Sequence, residues 1–137
     1  MTSIDYTSQL RSFFKSQIVD PNKYVVEWPN TLLDENDLDK NNVWMRFNIL
    51  LSDRKQVSTG QTSRIRQLGL CVIQIFGKQD TGELDVYKVV DVIIPIMQTK
   101  MLVGGVVLET PKIEIIGKRE GRWQVNVTCP WHFDELM

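Results

Sequence analysis

Residues 64–77 read RIRQLGLCVIQIFG, and the fold follows from how this stretch is taken. Its second half, Leu70 to Phe76, is apolar except for Gln74 and rich in Val, Ile and Phe. That is the composition of a strand in the middle of a sheet, covered on at least one face. Its first half is polar and basic. It closes a longer stretch, Ser52 to Gln67 (SDRKQVSTGQTSRIRQ), with almost no apolar residues. There Arg54, Lys55, Arg64 and Arg66 stand against Asp53 alone, a local charge of +3. Hairpin loops usually have roughly 2–5 residues. A connector this long reads as a protruding β-arm or functional loop, with Gly60 at its tip. One segment thus passes from an exposed charged arm directly into the core.

Before the arm, Val43 to Leu51 (VWMRFNILL) is a second strand. Val43, Met45, Phe47, Ile49 and Leu51 make its core face. Trp44, Arg46 and Asn48 make a mixed face, suited to solvent or to another subunit. Tyr24 to Trp28 is a short strand ended by Pro29 and Asn30. Between the two, Asp34, Glu35, Asp37 and Asp39 share one loop. The glycine and terminal Glu of a calcium loop are missing, so it reads as a solvated acidic loop. Residues 3–19 read as a helix, with Ser3 at the N-cap and Ile4, Leu10, Phe13, Phe14 and Ile18 in one stripe.

After the central strand, Glu83 to Met101 reads as a second helix. Leu84, Tyr87, Val90 (or Val89), Ile94, Met97 and Met101 form its stripe. Pro95 predicts a kink or break. Short strands follow at Val106–Glu109, Lys112–Gly117 and Arg122–Pro130, with a hairpin turn at Lys118–Gly121. Trp131 to Met137 reads as a short amphipathic tail. The sum is an α+β fold: a mainly antiparallel sheet, two helices packed on one face, and a long protruding arm at about residues 52–67. The 137 residues fit one domain, 1–137.

The net charge of −1 leaves any charge-driven partner to a local patch. Cys71 and Cys129 lie in apolar strand-like runs and read as reduced core residues, close together if their strands are neighbours. The N-terminus carries no signal-peptide core, and no apolar run approaches the ~20 residues that span a bilayer. The expectation is a soluble protein made in a cytoplasm. His132, the sole histidine, lies between Trp131 and Phe133 and reads as a surface or interface ring rather than a base. There is no CxxC, HxxxH, P-loop or GxGxxG pattern. The chain is not read as an enzyme, and no catalytic residue, metal or cofactor is expected. The arm lacks the interleaved aromatics of a single-strand platform, so no specific nucleic acid is expected either.

The order of these features resembles the short tail-terminator proteins of long-tailed bacteriophages. The resemblance spans about residues 8–133. It rests on the N-terminal helix, the Trp28-Pro29-Asn30 turn, and the strand Val43-Trp44-Met45-Arg46-Phe47. The polar loop follows, then Arg66 to Phe76 with its Gly69 and Gln74, a helix, and closing strands from Gln124 to Phe133. Many members carry Ala-Asp in the second helix; this chain has Val90-Asp91, and its Pro95 departs from the pattern. The resemblance implies a structural virion protein, assembled in the host cytoplasm, that forms a ring, usually a hexamer. The ring caps the head-proximal end of the tail tube, stops its polymerisation and offers the docking surface for the head connector. Implied partners are further copies of itself, the tail tube protein, the connector or neck protein and, in a contractile tail, the sheath. DNA would pass through the ring; no membrane is involved. Arg54, Lys55, Arg64 and Arg66 would form the tube- or lumen-facing arm. Ring closure needs two different faces on each subunit. Trp44, Arg46 and the edge strands near 24–28 and 106–117 are the candidates. The alternatives are a head–tail completion protein of the same fold, a small α+β ligand-binding domain or enzyme, and a basic-arm nucleic-acid binder.

Overall fold

The fold is given by a computed structural model that describes residues 3–22, 24–29, 43–58, 64–77, 83–98, 100–102, 104–119 and 121–136. In order, the chain forms helix α1 (Ser3–Phe14), strands β1 (Val25–Glu27), β2 (Val43–Ser58) and β3 (Arg64–Gly77), and helix α2 (Leu84–Met97). Strands β4 (Lys100–Met101), β5 (Val107–Leu108), β6 (Lys112–Arg119) and β7 (Arg122–Leu136) complete it. The seven strands form one sheet, in which β1-β2-β3-β7 lie side by side. β6 and β5 then share the far side of β7, and β4 lies outside β5. Among the described residues only β1 and β2 run parallel. This is the α+β class, with a mainly antiparallel sheet.

Strand alternation decides which side chains are covered. Met45 lies opposite Ile75, Phe47 opposite Ile73, and Ile49 opposite Cys71. On the other side of β3, Ile75, Ile73 and Cys71 meet Val125, Val127 and Cys129. All but the half-buried Ile49 are fully inside, in one core with the two helices. α1 contributes Tyr6, Leu10 and Phe14, the last stacked on Phe47 with ring centres 4.6 Å apart. α2 contributes Val86, Val89, Val90, Ile93 and Met97. Its buried stripe is thus offset from the one read in the sequence, and Leu84 points to solvent. α2 runs through Pro95 and stops at Met97, where Gln98 takes an extended conformation. A proline in the last turn forfeits one intrahelical bond while the helix is already ending, so no earlier break is required. Lys100 and Met101, read as the helix end, are strand β4 instead. The last five residues of the expected helix 3–19, Lys15–Val19, are π-helical, and a turn Asp20–Asn22 carries the helix past its sequence bounds.

The larger difference lies at the C-terminus. The tail expected to begin at Trp131 is the continuation of β7, paired with β3 from Gln124–Phe76 to Leu136–Arg64. Trp131 is fully buried, and Phe133 nearly so. Pro130 reads as a strand end, yet it costs no bond to β3. The N–H and C=O of a strand residue point the same way, and Pro130 O accepts from Glu109 N on the β5–β6 side. There the ladder already pauses at Pro111, between β5 and β6. Such interruptions are where a sheet tolerates proline.

Gly69 lies opposite Trp131. A Cβ there would run into the indole, and would stand 2.7 Å from the Leu50 carbonyl oxygen. The bare backbone is what lets the indole lie down between β3 and the helix layer. Overpacking of this kind costs about 1–3 kcal/mol, and here neither neighbour can yield. Gly69→Ala is expected to lose stability at the upper end of that range, read as a lower urea midpoint with unchanged m-value.

Cys71 and Cys129 are register partners, both buried and both free. Burial pushes the Cys71 thiol well above its ordinary value and that of Cys129 up to about 11. The Cys129 thiol donates to Glu109 O at 3.3 Å. Since the thiolate is the reactive species, neither cysteine should alkylate in the native protein at pH 8, and both should in urea. Mass spectrometry after an iodoacetamide pulse reads this directly.

Candidate functional site

The stretch expected to protrude as an arm is built from strand. β2 continues to Ser58 and β3 begins at Arg64, with Arg54 opposite Gln67, Lys55 opposite Arg66 and Ser58 opposite Arg64. Residues 59–63, including the expected tip at Gly60, lie outside the described residues, as do the acidic loop at 31–42 and the turn at 78–82. A third strand is present that the sequence did not suggest: Phe133 to Leu136 of β7 lies against Gln67 to Arg64. The arm is therefore a three-stranded extension of the sheet, beyond the last helix-covered residues.

The boundary between core and arm is a bulge. The β2–β3 register shifts between Leu51 and Arg54. Gln67, buried although polar, fills the irregularity by donating its amide to Ser52 O at 3.2 Å and Leu68 O at 2.8 Å. A bulge increases local twist and bends the strand. It also changes which side chains share a face. After it Lys55 falls on the uncovered face with Arg66, and Arg54 falls on the helix side.

Arg66 and Arg54 each form an ion pair with the end of β7. Arg66 grips Asp134 in a bidentate fork, Nε to Oδ1 at 2.7 Å and Nη2 to Oδ2 at 3.0 Å. Arg54 Nη2 reaches Glu135 Oε2 at 3.3 Å, across β3. Lys55 is exposed and lies directly opposite Arg66, so the three strands present a row Lys55, Arg66, Asp134. One step toward the core, His132 places Nδ1 3.5 Å from Glu109 Oε2. His132 is thus a half-buried partner of a carboxylate on the uncovered face. The acids at 134 and 135 were missed in the sequence because they meet the arm only through tertiary pairing. The unbroken alternation Val125, Val127, Cys129, Trp131, Phe133 was the signal for it.

The sheet face opposite the helices carries the other sequence candidates. Trp44 stacks on Phe76 with centroids 4.3 Å apart and an interplanar angle of 17°. Arg46 lies 5.3 Å from both ring centres and pairs with Glu27 Oε2 at 3.3 Å. Trp44 is only 4% exposed. Of the two proposed interface residues, Trp44 is thus enclosed by its own chain and only Arg46 presents substantial surface. This cluster lies at the other end of β2 and β3 from the described residues of the arm. Among the described residues, no group of three or more His, Cys, Asp or Glu is placed to hold a metal, and no helix is long and apolar enough to cross a membrane.

No family model and no curated protein matches the chain. A solved structure known only by a sequence identifier is similar to it, with a TM-score of 0.58. The match covers 93% of this chain and 94% of that one, at 13% identity. At that identity the likeness concerns the fold alone.

The Arg66–Asp134 fork gives a pH signature. The hydrogen bonds from Arg66 hold the Asp134 carboxyl below the usual aspartate range. A group whose pKa is lowered by folding contributes stability above its unfolded pKa and loses it as pH falls through the folded one. The pair is partly solvated, so the contribution is below about 1 kcal/mol. Asp134→Asn should remove it: urea midpoints of native and variant protein should converge as pH is lowered from 5 to 2.

Proposed function

We propose that the chain is a structural virion protein that caps the head-proximal end of a long phage tail as a ring. In this reading its work is contact rather than chemistry. The ring ends polymerisation of the tail tube and gives the head connector its docking surface. The observation that carries the reading is the arm: β2, β3 and β7 extend together past the helix layer and are cross-braced by Arg66–Asp134 and Arg54–Glu135. A flexible basic loop would suit non-specific attraction to phosphates. A braced three-stranded projection suits docking against a shaped protein surface. The sequence resemblance adds the identity of that surface as the tube end.

Lys55 and Arg64 are exposed on the strands of the arm. Lys55→Glu with Arg64→Glu should fold normally, since exposed strand substitutions cost little. The variant should fail to stop tube growth, giving overlong tubes by electron microscopy in an infection or an in vitro tube-assembly reaction. Tails of normal fixed length made with a folded double variant would remove the arm from the tube contact.

A further inference from the structure

We draw no further inference here: the strongest candidate, the exposed apolar surface of Ile113 and Ile115 on the helix side of edge strand β6, carries none, because nothing in the structure shows what covers it.

Discussion

The indole of Trp131 lies across the bare backbone of Gly69, and this contact fixes the register of β7 on β3. A slip by one residue would turn every core side chain of β7 to solvent. Trp131 also organises what lies above it. Tyr6 of α1 sits 5.3 Å from its ring centre and 5.9 Å from that of Phe133. Gln9, one turn further along α1, accepts from Val106 N and so ties the segment before β5 to the same helix. Among the described residues no acceptor meets the buried Trp131 N–H, a cost of about 1–3 kcal/mol. The indole is held there by packing, which must outweigh that cost. With β7 locked in this register, its last four residues necessarily lie beside Arg64 to Gln67. The arm's third strand is a consequence of the core.

How the arm is stabilised follows from magnitudes. Its ion pairs are partly solvated, and such pairs are worth about 0–1 kcal/mol each. They choose among orientations rather than hold the arm up. The main-chain ladder on both sides of β3, closed at its base by Gln67 in the bulge, does the holding. The pairs also change the arm's electrostatic character. Counted with Asp53, Asp134 and Glu135, the four cations leave a net charge of only +1 across residues 52–67 and 133–136. Attraction to a polyanion scales with uncompensated cations. A nearly neutral, braced projection is poorly suited to that and well suited to recognising one protein surface.

Much of this was legible in the sequence, and what was not has identifiable causes. Alternation along Val43 to Leu51 gave the helix-side face of β2, buried at Met45 and Phe47, but it also put Leu51 in the core, and Leu51 sits at the bulge and is 53% exposed. The β6–β7 hairpin was legible because alternation along β7 also marks a buried face, at Val125 and Val127. Pro130 misled, since whether a strand survives a proline depends on which neighbour its missing N–H faces. The α2 stripe was read one step off because Leu84 is apolar yet exposed, and periodicity cannot separate a buried leucine from a solvated one. The arm read as loop because polar residues dominate it; its pairing partners lie far along the chain, Asp134 68 residues from Arg66 and Glu135 81 from Arg54. Trp44 read as an interface residue because alternation put it on the uncovered face, where only Phe76 and Arg46 show how it is enclosed.

The strand order also constrains what an assembly could look like. In any ring whose axis runs along the strands, rotation carries every arm to the same rim. The Trp44–Phe76 stack and the Arg46–Glu27 pair, at the other end of β2 and β3, are carried to the opposite one. The two rims then differ in chemistry without any change within the subunit. One offers strand ends and alternating charges. The other offers aromatic faces under a guanidinium. A two-fold dimer of the same chain would instead present both kinds of end on each side. A protein that must bind unlike partners at its two ends needs the first arrangement.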